Sequence, residues 1–426
     1  FLPIPFGKTE AVRWLHPLAK QDLMITFPLE ITVREDGTLV YDFEGTSSQG
    51  AHGMHVTPTL LRGGMWVTLT QNLAYDLKVS HGTNIPVEIK STPGSVVNPT
   101  NRQVSTILSW NTLSSIFTVG CRLISNVYFA RGFLEEVFQM NSNAWTGVNF
   151  LDPTGGMQGG DNIELASPGS GARAVADGLD GAYCLWNPES ELGNAESWET
   201  IYSKFYLTRG YLKDDYAPGR FRGGVSWNSI FSAWKTDLMC VSMMAGWTCG
   251  TNPVDKGLFG GYPCPTSFGF VLKNTNLPEL IEKKERLPTD IHELIKSLED
   301  RKLRADEVYL WKTHDTSPAL KTYDMWGILY TGGAGYGDPL DRDPELSRKD
   351  VENGLASPEY VEKVHGIILR RVENEWKVNL NATEERRKAM RNERLKRALP
   401  ASKFMEQQRG RILAKKLPDY VIRCYK

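Results

Sequence analysis

Residues 164–181 read ELASPGSGARAVADGLDG, with glycines at 169 and 171 flanking Ser170, and Arg173 and Asp177 close behind. These residue types can handle an anion. A glycine backbone can take φ > 0 and bring its N–H groups close to a ligand. A guanidinium offers a two-pronged fork to carbonate, carboxylate or phosphate. Gly169, Ser170, Gly171, Arg173 and Asp177 are therefore the candidate substrate-contacting residues. A plainer reading also stands, in which Arg173 and Asp177 pair to hold the loop, while Asp177-Gly178 and Asp180-Gly181 are turns. The loop is not a nucleophile turn, because Ser170 lies in Pro-Gly-Ser-Gly and not in Gly-x-Ser-x-Gly.

A second group, SQGAHGMHV, places His52 and His55 three residues apart just past a strand signal. Imidazole suits Mn, Fe or Zn, so the two are candidate metal ligands. Two ligands make an incomplete site, and no Asp or Glu within the loop completes it. Other chemistry is missing from the sequence. There is no Gly-x4-Gly-Lys-Ser/Thr phosphate loop, GGAGYG at 332–337 is not Gly-x-Gly-x-x-Gly, and His292-Glu293 lacks the second histidine of a zincin motif. If ATP is used, another chain is expected to hold it.

The elements that must position these residues belong to a chain of 426 residues, 41 % hydrophobic and 23 % charged. That length exceeds the roughly 250–300 residues at which one core stops growing, so several domains are expected. No apolar run approaches the roughly 18 residues of a membrane span, and LMCVSMMAGW at 238–247 reads as a buried segment. No signal peptide is visible. The chain opens on Phe1 and reads as a processed or partly represented polypeptide. Six scattered cysteines without a Cys-x-x-Cys pair point to reduced thiols and a cytoplasmic protein. The formal charge of −1 divides unevenly. Residues 383–416 hold 12 Lys or Arg and 4 Glu (+8), leaving −9 elsewhere. This basic tail interleaves glutamates and has Phe404 as its one aromatic, so a docking arm is expected in preference to a nucleic-acid binder.

Asp36-Gly37 between two β-prone segments predicts a hairpin over 29–45, and Pro93-Gly94 predicts a turn in a second over 85–99. Residues 104–140 read as helix and 199–213 as strand. Ile291, Leu294, Ile295 and Leu298 give one helical stripe, with Thr289 placed as N-cap. Residues 330–344 read as a long turn segment. Ser357-Pro358 opens a further helix, and Asn381 opens the basic one. The expected fold class is α+β. A β-rich body occupies 1–275, a helical and glycine-rich region 276–345, and a helical C-terminal tail 346–426.

Five stretches, in order, resemble the hydantoinase B/5-oxoprolinase family, which also contains the large subunits of ATP-dependent ketone carboxylases. They are YDFEGTSSQ (41–49), TPGSVVNP (92–99), GSGARAVADG (169–178), GRFRGG (219–224) and GGAGYGDPLDRDPELSRKDVENGLASPEY (332–360). GAHGMHV after Gln49, and GNAESWE at 193–199, depart from the hydantoinase pattern and place the chain nearer the acetone or acetophenone carboxylase branch. The resemblance implies the C-terminal half of such a large subunit, acting on a small ketone and bicarbonate. It implies a hydantoinase A-like ATP-binding subunit and a small subunit as partners, with no nucleic acid and no membrane. It also implies a divalent metal (Mn, with Fe or Zn as alternatives) and Mg-ATP, both bound outside this segment. An ATP-dependent hydantoin- or oxoproline-type amidohydrolase subunit, and a non-catalytic scaffold, are the alternative readings.

Overall fold

The computed structural model describes residues 10–16, 21–50, 52–78, 80–101, 103–104, 106, 109–139, 146–161, 169–182, 193–243, 256–265, 268–310, 318–330 and 332–416. The chain begins with β1 (Glu10–His16), β2 (Gln21–Phe27), β3 (Glu30–Val33), β4 (Leu39–Asp42), α1 (Pro58–Asn72), β5 (Val87–Lys90) and α2 (Ser109–Arg131). It continues with β6 (Thr146–Leu151), β7 (Met157–Asp161), α3 (Ala195–Ile201), β8 (Lys204–Tyr211), β9 (Trp227–Ala233), β10 (Met239–Met243) and β11 (Phe268–Lys273). Next come α4 (Leu277–Glu282), α5 (Ile291–Glu299), β12 (Glu307–Leu310), β13 (Met325–Leu329), α6 (Pro344–Glu352) and α7 (Pro358–His365). β14 (Leu369–Val372), β15 (Glu375–Val378), α8 (Leu380–Arg397) and α9 (Ala401–Leu413) complete the order. The fold is α+β with helices at the C-terminus.

The hairpin over 29–45 forms as its turn pair dictates. β3 and β4 pair antiparallel, Gly37 takes φ 85°, and Asp36 Oδ1 accepts from the Thr38 amide at 2.8 Å. Pro93-Gly94 does turn, with Gly94 at φ 84°, but the second hairpin does not form: β5 lies parallel to β4, and Ser95 makes isolated bridges to Ser48 and Asn98. α1 and α2 cover this small sheet. Thr57 caps α1 ahead of Pro58, and the buried Leu61 and Met65 join Leu113, Phe117 and Phe43 in one core.

A five-stranded antiparallel sheet, in the order β12-β11-β13-β9-β8, is the largest sheet, and it takes strands from both sides of residue 275. β9 and β13 are buried along their whole length. One face packs Phe231, Trp326 and Tyr330 against Val148, Phe150 and Val241 of the β10-β6-β7 sheet. Residues 239–243 of the 238–247 segment form β10, with Met239 and Val241 buried, and residues 244–247 lie outside the described residues. The opposite face packs Phe270, Leu272 and Met325 against Leu277 of α4 and Ile291 and Leu294 of α5.

Three local expectations are corrected. Of the strand expected over 199–213, residues 204–211 form β8, while residues 199–201 end α3, which the Asn194 side chain caps by accepting from the Glu196 and Ser197 amides. α5 is capped by Asp290, which accepts from the Glu293 amide, while Thr289 donates its hydroxyl to the Glu293 carboxylate. α8 starts two residues earlier than Asn381, on Asn379, whose side chain accepts from the Ala382 amide at 3.2 Å. Among the described residues no helix is long and apolar enough to cross a membrane.

Candidate functional site

Four glycine-rich loops, around residues 169–181, 217–224, 257–262 and 332–337, meet in one block. Backbone hydrogen bonds join them: Gly224 N–H donates to Ser170 O (2.8 Å), Gly333 N–H to Gly224 O (2.9 Å), Ala172 N–H to Ala334 O (2.8 Å) and Gly335 N–H to Tyr262 O (2.9 Å). The chains approach so closely that side chains are excluded. A Cβ on Gly171 would stand 1.9 Å from the Gln139 carbonyl oxygen, and one on Gly333 would stand 1.6 Å from the Ser170 carbonyl oxygen. The expectation of φ > 0 at Gly169 and Gly171 is therefore corrected: neither adopts it, and both serve close backbone approach within the protein. Several of the loop's amides are also committed. Those of Ser170, Arg173, Ala174 and Gly178 donate to protein carbonyls, and that of Leu179 donates to the buried Ser170 hydroxyl at 2.6 Å.

Side chains fasten the block through a chain of alternating charges. Asp177 receives both prongs of Arg342 at 2.7 and 2.8 Å, and also the Arg222 amide at 2.8 Å. Arg342 reaches on to Asp350 Oδ2 at 2.7 Å. Arg222 holds the other side of Asp350 through Nε and Nη2 (2.9–3.1 Å) and grips Asp180 at 2.7 and 3.2 Å. The Arg342, Arg222 and Asp350 side chains are only 0, 5 and 7 % exposed. Burial alone would raise the Asp177 carboxyl, but the hydrogen bonds and charge of Arg342, then the charge of Arg222, outweigh it and hold the group below the usual carboxylate range. Burial likewise disfavours charge on both arginines, and their aspartates reverse the effect and raise them.

Tyr216 and His365 close one side. The Arg222 guanidinium lies 5.2 Å from the Tyr216 ring centre. With Nδ1–H donating to Pro339 O at 3.2 Å, His365 Nε2 is left to accept from the Tyr216 hydroxyl at 3.4 Å. Burial and the neighbouring Arg342 charge push His365 down to about 3, so it is a neutral framework imidazole. α8 lies across the back, where Arg387 donates to the carbonyls of Arg342 (2.6 Å) and His365 (3.0 Å).

The pairing of Arg173 with Asp177 does not occur, because Asp177 belongs to Arg342. Arg173 is exposed beside its backbone bridge to Phe138, and among the described residues no carboxylate pairs with it. Its guanidinium is the loop's available cation. His52 and His55 are both buried and stack face to face, with ring centres 4.2 Å apart. His55 Nε2 accepts from the Gly50 amide at 3.1 Å and His52 Nδ1 from the Met54 amide at 3.2 Å, which takes one ligating nitrogen from each ring. Among the described residues no group of three or more His, Cys, Asp or Glu could hold a metal. The described residues thus add no further ligands to the pair.

Arg222, Arg342 and Asp350 were not singled out from the sequence, and Asp180 was read only as a turn residue. Their signal was present, since GRFRGG and the alternating DPLDRDPELSRKD both lie in the family-like blocks.

A block of backbone-to-backbone glycine contacts, cross-linked by buried arginine–aspartate pairs, is what the ordered motifs build. The chain belongs to the Hydantoinase B/oxoprolinase family, whose model matches residues 3–339. Within reach of that family it is 32 % identical to the acetone carboxylase alpha subunit of Xanthobacter autotrophicus, over 97 % of this chain and 54 % of that protein. It is 23 % identical to the acetophenone carboxylase delta subunit of Aromatoleum aromaticum, over 94 % of this chain and 58 % of that one. The solved nucleotide-free structure of acetone carboxylase matches with a TM-score of 0.88 at 29 % identity, covering 99 % of this chain and 56 % of that chain. The ATP-dependent caprolactamase from Pseudomonas jessenii shares the fold, with a TM-score of 0.64 at 16 % identity over 90 % of this chain and 60 % of its own. The chain thus spans about half the length of the curated relatives it matches, which are named as subunits of carboxylases.

Proposed function

We propose that this chain is part of the large subunit of a cytoplasmic, ATP-dependent ketone carboxylase of the acetone or acetophenone type, which joins a ketone to bicarbonate to give a β-keto acid. The observation that carries the reading is 32 % identity to an acetone carboxylase alpha subunit, spread over 97 % of the chain. In this reading a hydantoinase A-like subunit binds Mg-ATP and activates the reactants, and a small subunit completes the assembly. In this reading the divalent metal is bound outside this segment.

Carboxylation of an enolate needs preorganised positive charge where negative charge develops. Arg222 and Arg342 are occupied by Asp177, Asp180 and Asp350. Arg173 is therefore proposed as the loop's contact to an anionic reactant or intermediate, framed by Gly169, Ser170, Gly171 and Asp177. The assembled enzyme is to be assayed with acetone, acetophenone, hydantoin and 5-oxoproline, with and without bicarbonate. Bicarbonate-dependent consumption of a ketone is expected, and bicarbonate-independent opening of a cyclic amide overturns the reading. Arg173→Lys keeps the charge and loses the fork, so turnover should fall with the melting temperature unchanged; full turnover rejects the contact. Isothermal titration of the chain alone with Mg-ATP should give no micromolar binding.

A further inference from the structure

The body makes little use of its last helix. α8 is fastened down by three arginines one turn apart: beyond the Arg387 contacts, Arg391 donates to Leu340 O (3.1 Å) and Asp341 (2.7 Å), and Arg394 to both oxygens of Asp338 (2.7 and 3.0 Å). This fastening ends at Arg394. Lys396 pairs back to Glu393 on its own helix, Leu395 and Leu399 face solvent, and the chain turns at Pro400 into α9. No residue of α9 is buried, and no side chain caps it. Phe404, Met405 and Leu413, at 50, 65 and 75 % exposure, and the half-buried Ile412 spread over one half of the helix surface, with Met405 and Ile412 along its middle and Phe404 and Leu413 at its two edges. Lys403, Arg409, Arg411, Lys415 and Lys416 stand around it against a single Glu406, a surplus of +4 (5 − 1). Among the described residues none of these five cations pairs with a carboxylate, and Arg411 bonds Gln408 on its own helix.

A 13-residue helix without a side-chain cap, with Gly410 in its last turns and nothing buried, is marginal in water. Its order and its exposed apolar side chains both call for a cover. We propose that α9 is a docking helix that seats in an apolar groove rimmed by carboxylates on a second, different polypeptide. The occupant follows from charge and shape. α8 already shows the code on this chain, arginines set on aspartates, and α9 continues the basic pattern where no carboxylate lies beneath it. A second copy would offer the same Asp338–Asp341 face, which its own α8 covers. Nucleic acid would answer the cations and leave Phe404, Met405 and Leu413 in water. The inference builds on the multi-subunit reading above and adds the surface that makes the joint.

The test uses the full chain expressed in its own cells with a photo-crosslinking amino acid at position 404, together with Phe404→Asp/Met405→Asp. Cross-links are expected to join position 404 to one different polypeptide, on a segment where Asp and Glu flank apolar residues. The double variant should keep the melting temperature of the body, because both positions are exposed, and should lose the partner's mass in light scattering. Amide exchange in α9 should be fast in the isolated chain and slowed at least tenfold in the assembly. Cross-links to another copy, to nucleic acid or only to the chain's own body overturn the proposal. So does a double-variant complex of unchanged mass, which leaves the multi-subunit reading intact; a wild-type chain that purifies alone overturns both.

Discussion

Removing the Arg342 charge tests whether the loops are held by the buried ion network. Arg342 is fully buried and gives two hydrogen bonds to Asp177, one to Asp350 and one, at 3.0 Å, to the Ser347 hydroxyl. In Arg342→Met the five-membered network passes from two arginines and three aspartates (−1) to one and three (−2). Asp350 keeps Arg222, so the loss falls mainly on Asp177, left with a single backbone N–H donor. Breaking a buried pair from one side costs about 3–5 kcal/mol, or roughly 6–20 °C in melting temperature by the conversion for domains of 150–250 residues. The pH dependence supplies a second readout. In the wild type the lowered Asp177 contributes stability that is present above its unfolded value and is lost as pH falls through the folded one. Without Arg342, burial dominates and raises that carboxyl, so the variant loses stability as pH rises. The gap between the two proteins should be widest at pH 7–8 and narrow toward pH 4. Thermal melts across that range decide it, with Arg173→Met, an exposed cation on the same loop, as a control expected to melt like the wild type. A variant melting within about 2 °C of the wild type at pH 8, against the roughly 6–20 °C expected, refutes the network's role, as does a gap indifferent to pH.

Gly171→Ala should abolish folding or lower the melting temperature severely, because its Cβ meets a backbone oxygen at 1.9 Å, whereas Gly63→Ala in α1, with nothing within 4 Å, should be neutral or stabilising by about 1 kcal/mol. Asp215 is pushed up to about 6 by burial, with its Oδ2 enclosed and unbonded. Its stabilising contribution is full below the unfolded value and lost as pH rises through about 6. Asp215→Asn should therefore raise stability at pH 8 by about 1–3 kcal/mol and change little at pH 4, as denaturant melts at the two pH values will show. Gln139 is fully buried, and neither carboxamide atom has a partner among the described residues. Gln139→Met should hold or raise the melting temperature, since removing an unsatisfied buried amide recovers about 1–3 kcal/mol; a clear fall would reveal a partner.

What could be read in advance followed from local rules. The Asp36-Gly37 hairpin and the Ser357-Pro358 helix start depend on residues within a turn of each other, and both formed. The caps at Asp290 and Asn379 were misplaced by one and two residues because neighbouring Thr289 and Asn381 satisfy the same local rule. Only the surrounding fold decides which residue takes the extended backbone of a cap. The parallel register of β5 on β4 was not legible, since pairing at that separation is set by how α1 and α2 cover the sheet.

The loop at 169–181 left two readings open for a deeper reason. A glycine that lets a ligand approach the backbone and a glycine that lets another stretch of backbone approach it have the same requirement, the absence of a Cβ. The sequence therefore marks close approach without naming what approaches. At Gly171 and Gly333 the answer is the chain itself, 1.9 and 1.6 Å from where a Cβ would sit. Charge carries the same ambiguity. Arg173, Arg222 and Arg342 each lie near glycines and aspartates in sequence, yet two are sealed into pairs more than 40 residues distant and one is left at the surface. Partner choice between charges so far apart is settled by which loops the glycines allow to touch. The arginine that keeps its freedom, Arg173, is for that reason the one on which the chemistry of the loop is proposed to rest.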